Sequence, residues 1–256
     1  MMRFQTAYST PPVVKNLIIL NGLFFLAEIV LPGRMGDWLI ERLGLFFWES
    51  GNFQIYQLVT SMFLHANFEH IFFNMFALWM FGRTLEYELG SQRFLTFYMV
   101  CGVGAALIQY LTALAFGELP LMLVGASGAV RGLLLAFGVM HPNAVIMLLI
   151  PPIPMKAKYF VVGYAAIELI SAYTSTDNVA HFAHLGGMLF GWLLLRYWRS
   201  KSRNPYTPGG WQRWEDVRQK PSMTERLRNA VGRKHTEETG NAHHTCLLYT
   251  SPSPRD

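Results

Sequence analysis

Charge is scarce in this chain. Charged residues make up 14% of its 256 residues and hydrophobic ones 52%, whereas a soluble domain carries about 25% charged residues. That shortage excludes an ordinary solvated surface and points to a chain whose outer face meets hydrocarbon. Cysteine is nearly absent. Cys101 lies within an apolar run and Cys246 near the far end, so neither a disulfide framework nor a cysteine-based metal knuckle is expected. The first apolar run lacks a small-residue cleavage site behind it and reads as a retained span rather than a removed leader. No internal repeat of the transporter kind is visible. HExxH is missing too. His65 and His70 are five apart and Glu69 adjoins the wrong one, which excludes a zinc-dependent membrane protease of that type. An aspartyl membrane protease needs paired carboxylates in spans; apart from Glu69 at the very start of one, only Glu28 and Glu168 fall there, without a partner aspartate. A zinc role for His65, His70, His181 and His184 stays open, but no thiolate or carboxylate cluster accompanies them in the sequence.

What is present is apolar length. Six windows are long enough, at roughly 17–25 residues each, to cross a ~30 Å hydrocarbon layer: Val14–Leu31, Asn67–Leu85, Phe94–Phe116, Leu121–Met140, Ala157–Tyr173 and Val179–Trp198. The expected fold class is therefore an all-α membrane protein. Charge is segregated, with a net of +6 from Arg196 onward and −1 before it. A basic stretch straight after a span marks the cytoplasmic side more simply than it marks nucleic acid. Arg3, Lys15, Arg83, Arg93, Lys156 and Lys158 fall on that side. Arg34 and Arg42, against Asp37, Glu41, Glu49, Glu118 and Asp177, fall on the other. Both termini are thus expected in the cytoplasm, in a multi-pass protein of a bacterial inner membrane. The connection from Pro32 to Ser61 mixes Trp38, Phe46, Phe47 and Trp48 with charges and should lie at the membrane interface. Ala144–Ile150 is too short to cross, and Pro151, Pro152 and Pro154 stop any helix there. Ser171–Asn178 reads as a mobile loop.

Polar groups inside a bilayer are costly and therefore functional by default. Measured at ~1.5 Å per residue from the outer ends of their spans, Ser127 lies roughly 9 Å down, Asn74 roughly 10 Å and His184 roughly 8 Å. Three spans thus bring polar groups to one level. His70 and Asn74, at i and i+4, share a face. They could merely hydrogen-bond between helices. With a serine and a histidine at matching depth, they are better read as donors to an oxyanion. Gly128 and Gly132 in the fourth window, and Gly187 and Gly191 in the sixth, are small-xxx-small patterns that allow close helix approach.

These residues resemble the rhomboid family of intramembrane serine proteases, over roughly residues 12–198. The resemblance rests on His65-x4-His70-x3-Asn74, Glu86-x3-Gly90-x2-Arg93, Gly125-Ala-Ser127-Gly128 and Ala183-His184-x2-Gly187-x3-Gly191, taken in order. It implies a six-transmembrane-helix bundle with Ser127 as nucleophile and His184 as general base, a dyad lacking the aspartate of soluble triads. His70, Asn74 and the Ser127 N–H take the oxyanion role. His65 holds the loop before the second span, and Glu86 and Arg93 form a cytoplasmic network. The substrates implied are single-span membrane proteins, cut near the outer face, with membrane lipid as surroundings; no cofactor, metal or nucleic acid is implied. The fifth span and the loop after it would move to admit the substrate helix.

His181 competes with His184, but only His184 has glycines at +3 and +7, so His181 reads as a solvated or hydrogen-bonded loop histidine. One position departs from the family pattern. Four residues after the serine, where the family usually has an aromatic, stands Arg131. A buried cation on that face opposes an imidazolium, unless it pairs with an acid such as Glu168. The alternative function is accordingly a catalytically inactive rhomboid-like protein that binds client transmembrane helices. In domain terms the chain reads as a cytoplasmic N-terminus at 1–11, a protease domain at 12–198 and a basic cytoplasmic tail at 199–245. Residues 246–256 read like a translated sequencing-adapter sequence.

Overall fold

A computed structural model describes residues 10–31, 33–117, 122–147, 153–174 and 180–201. The basic tail beyond Lys201, the adapter-like end and residues 175–178 of the expected loop lie outside the described residues, whereas Ser171–Thr174, expected in that loop, are the last turn of a helix.

The described chain is mostly helical. Helix α1 (Pro12–Val30) opens with proline at its first position, where no backbone donor is needed. Its next N–H groups, of Val13 and Val14, donate to the Glu86 carboxylate at 3.0 and 2.7 Å, and the Ser91 hydroxyl donates to the same side chain at 2.7 Å. Glu86 is thus a cap supplied from 72 residues away. Arg93, its expected companion, lies over the Trp198 ring. Helix α2 (Arg34–Leu43) packs against α1. The short turns that follow include α3 (Gln57–Thr60).

The second expected span is built in series: α4 (Phe68–Ala77), a π-helical stretch (Leu78–Gly82) and α5 (Arg83–Leu89). Asn67 caps its start by accepting from the His70 N–H at 2.8 Å. It ends at Leu89, four residues later than the sequence window. Helix α6 (Ser91–Phe116) follows at once. Helix α7 (Ser127–Met140) is 14 residues long and begins at the serine itself. The sequence window starts at Leu121, but Leu123 lies in a strand-like bridge with Leu45, so Ser127 stands at the start of its helix and not six residues into it. Between α7 and α8 (Ala157–Thr174), Val145–Met147 pairs antiparallel with Pro154–Lys156, a small exception to an all-α expectation. Helix α9 (His181–Lys201) closes the bundle.

Two described helices, α1 and α6, are long and apolar enough to cross a membrane, and α7 is apolar but shorter. Large apolar side chains face outward, among them Leu23, Leu26 and Ile29 on α1 and Val162, Ile167 and Ile170 on α8. Such faces are stable against lipid, not water.

The core is α6, α7 and α9. A Cβ on Gly187 would collide with the Gly128 carbonyl, and one on Gly128 would collide with the Ala105 side chain. The α7 and α9 backbones therefore touch because neither has a side chain at the crossing. We expect Gly187→Ala to push the helices apart and to destabilise the fold by about 1–3 kcal/mol, the usual range for overpacking. Gly163→Ala on α8, where a Cβ meets nothing within 4 Å, should be neutral or slightly stabilising. Unfolding midpoints in mild detergent compare the two.

Candidate active site

Ser127 owes its position to the strand-like segment before it. Leu45 and Leu123 exchange two backbone hydrogen bonds at 3.0 and 2.9 Å, and the Gly125 N–H donates to the Ser61 carbonyl at 2.8 Å. Gly125 has φ +120°, a conformation open to glycine, and a Cβ there would lie 2.6 Å from the His70 ring. The chain therefore reaches Ser127 on a fixed path, passes under an imidazole and turns helical. The first N–H groups of a helix have no acceptor within it, and a small cavity beside the start of α7 is bordered by Ser61, Met62, Val124, Ser127 and Ala183.

His184 lies in the first turn of α9. The start of that helix is tied to α6 by Gln109, whose side-chain oxygen accepts from the Ala183 N–H at 3.1 Å. His184 Nε2 is 2.9 Å from Ser127 Oγ, and His184 is 6% exposed. Its other ring nitrogen, Nδ1, is 2.9 Å from Glu168 Oε1. Glu168, on α8, is 4% exposed. The two-residue arrangement implied by resemblance therefore has a carboxylate behind it. A lone acid in a span needs a partner; the sequence offered Arg131 for that place, and the partnership with His184 was not legible.

Arg131 does not confront the imidazole unaccompanied. Its Nε is 3.6 Å from Glu168 Oε1, an ion-pair distance too long for a hydrogen bond, and its guanidinium lies 4.7 Å above the Tyr164 ring. His181 is hydrogen-bonded: Nδ1 lies 2.7 Å from Glu168 Oε2. Glu168, His181 and His184 thus form the cluster of metal-ligating types that the sequence did not reveal, but each imidazole is already engaged with the carboxylate.

On α4, His70 Nδ1 accepts from the Ala66 N–H at 3.4 Å. An accepting Nδ1 leaves the proton on Nε2, the atom facing Gly125. Asn74 is 3% exposed and uses one amide hydrogen on the His70 carbonyl at 2.8 Å. His65 is 5% exposed, with its ring edge-on to His70 at 5.0 Å and its backbone N–H donating to Glu28 Oε1 at 3.3 Å. The ring nitrogens of His65 make no hydrogen bond. Gly128 and Gly187 bring α7 against α9, and one turn further on a Cβ added at Gly191 would lie 3.4 Å from the Gly132 Cα.

The rhomboid domain pattern matches residues 52–201. The chain belongs to the rhomboid family. This rhomboid is 30% identical over 160 residues to Rhomboid protein 1, mitochondrial, of Saccharomyces cerevisiae, covering 60% of this chain and 46% of the yeast protein. It is 33% identical over 193 residues to Rhomboid-like protein 11, chloroplastic, of Arabidopsis thaliana, covering 69% of this chain and 66% of the plant protein. It is 28% identical over 193 residues to the Putative rhomboid protease YdcA of Bacillus subtilis, covering 75% of this chain and 90% of that protein. The chain spans less than half the length of the first curated relatives it matches. As a member of this family it is an integral membrane protein.

Burial, with His70 adding to it, holds the imidazole of His65 down at about 4, from an ordinary 6.5. A histidine whose folded value is depressed gives its full stabilisation above the unfolded value, and loses it as pH falls from about 6.5 to about 4. The loss in that window is about 3 kcal/mol, from 1.36 kcal/mol per unit. Unfolding midpoints measured from pH 7 to pH 4 should fall more steeply for wild type than for His65→Gln. Parallel curves would show that His65 contributes no such dependence.

Proposed function

We propose that this rhomboid is an intramembrane serine endopeptidase that cuts single-span membrane proteins near the outer membrane face. The observation that carries the reading is the 2.9 Å contact between Ser127 Oγ and His184 Nε2 at a crossing of two apolar helices. A nucleophile within hydrogen-bond reach of its base, with that base oriented by a third group, is the signature of an activated serine.

In the proposed reaction Ser127 Oγ attacks the scissile carbonyl carbon while its proton passes to His184 Nε2. The carbonyl oxygen becomes an oxyanion, held by the Ser127 N–H, the Asn74 amide and His70 Nε2–H. The C–N bond then breaks, and the leaving amine takes the proton from His184. Water next attacks the acyl-serine ester, giving its proton to His184. That proton returns to Ser127 Oγ as the carboxylic acid leaves. Neither metal nor cofactor enters any step.

The six spans of this reading are α1, the α4–α5 series, α6, α7, α8 and α9. At 14 residues α7 would extend about 21 Å, short of the ~30 Å core. It suits a helix that begins below the membrane surface, under a wet cavity. Helix α8 buries only Ala157, Val161 and Glu168, which suits the side where a substrate helix is admitted. Cytoplasmic termini follow from the basic residues after α9 and around the α5–α6 junction. A bacterial inner membrane is favoured because the match extends along 90% of the Bacillus relative. The domain boundaries at 12–198 and 199–245 belong to the same reading.

Cleavage of a generic single-span substrate in bilayers, with fluorophosphonate labelling alongside, tests it. Wild type should label and cut. Ser127→Ala and His184→Ala should each lose at least about 1,000-fold in kcat, and Asn74→Ala about 100–1,000-fold. An inert wild type beside an active Arg131→Phe would favour the client-binding alternative. A Ser127→Ala variant that cuts as fast as wild type would sink the reading.

A further inference from the structure

We propose that Glu168 is a positioning residue for His184, so that this chain works with a Ser127–His184–Glu168 relay whose carboxylate is held by His181 and Arg131. The inference rests on the protease reading above and adds a third member to its pair.

A glutamate in an apolar helix is stable only if its charge is met, and every group around Glu168 meets it. Oε1 faces His184 Nδ1 at 2.9 Å, and Oε2 faces His181 Nδ1 at 2.7 Å. Arg131 Nε stands 3.6 Å from Oε1, and Tyr164, one turn earlier on α8, lies against the same carboxylate. The two histidines take one oxygen each, which sets the plane of the carboxylate. Because α8 supplies the acid, α7 the serine and α9 the base, three helices must be in register for the line from Oγ to Oε1 to exist.

Two consequences follow for the chemistry. A carboxylate accepting from Nδ1 fixes the proton on that nitrogen, so the Nε2 lone pair faces the serine hydroxyl. It also stabilises the imidazolium that forms when the serine proton moves. Arg131, half-buried, acts in the opposite sense on that imidazolium and is paired with Glu168. Removing the acid therefore does double damage: the imidazole loses its orientation, and a half-buried cation is left beside it without its acid. Removing the arginine as well should relieve the second part.

The experiment compares wild type, Glu168→Gln, Glu168→Asp and the Glu168→Gln/Arg131→Met pair in the full chain in bilayers. It reads kcat and KM on one single-span substrate, fluorophosphonate labelling rate and unfolding midpoint. Glu168→Gln should lower kcat by about 100–10,000-fold, with KM little changed and the labelling rate falling in step. A merely structural role would move the midpoint and KM instead. Glu168→Asp, which keeps the charge on a shorter arm, should lie between. The double variant should recover about tenfold or more over Glu168→Gln alone, as expected for coupled neighbours. If Glu168→Gln does not fold, that recovery is read against Glu168→Asp.

A folded Glu168→Gln with wild-type kcat overturns the proposal and leaves the serine–histidine reading standing. A wild type that neither labels nor cuts removes both. Loss of wild-type activity to a chelator, restored by zinc, would make the trio a metal site and also overturn the proposal.

Discussion

Everything in this structure depends on one close approach. Helices α7 and α9 meet with Gly128 against Gly187, where a single methyl group would collide with backbone. Only that separation lets a side chain as short as serine reach an imidazole on the next helix. The hydrogen bond between Ser127 and His184 is thus a property of the crossing, and the glycines that form the crossing lie one and three residues away from the two side chains it joins. In lipid, where hydrocarbon offers no hydrophobic drive between helices, such backbone contact is itself a main source of association. Stability and chemistry draw on the same surface.

Around that crossing, the remaining elements act as supports. The Leu45–Leu123 pairing and the Ser61 carbonyl hold the chain extended up to Ala126, and Gly125 admits the His70 ring over its Cα. Gln109 fixes the first turn of α9. At the other end of the bundle, Glu86 caps α1 from a distant helix. Gln109 and Glu86 are polar side chains that accept from N–H groups at helix starts, and the other supports are backbone pairings. Helix α8 is the exception. Its outer half is pinned through Glu168 and otherwise turns apolar side chains outward. Any motion of α8 that admits a substrate helix must therefore either keep the carboxylate contact or break it. In the proposed protease, substrate access and the state of the imidazole would be mechanically linked.

Much of the architecture was legible beforehand because apolar length and small-residue spacing are local. Five of the six windows coincide with helices or helix series to within a few residues, among them Val14–Leu31 with α1 and Phe94–Phe116 with α6. The window at Leu121 began too early. An apolar run inside a bundle has the same composition whether it is helical or extended, and what straightens residues 122–126 is pairing with Leu45 and Ser61, far away in sequence. The pairing of Val145–Met147 with Pro154–Lys156 was not legible because each run is only three residues long and proline beside them gives no strand pattern. Arg131 looked like an obstacle because its partner lies 37 residues on, and periodicity within one helix carries no information about a side chain on another.

The order and spacing of Gly-x-Ser-Gly, the histidines and the glycine pairs determined the family and the side chains available for chemistry, since those depend only on residue type and separation along one helix. Tertiary structure alone decided that Glu168 backs His184, that His181 shares its carboxylate, and that Arg131 is charge-balanced. Such partnerships are distances between helices, and only packing sets them.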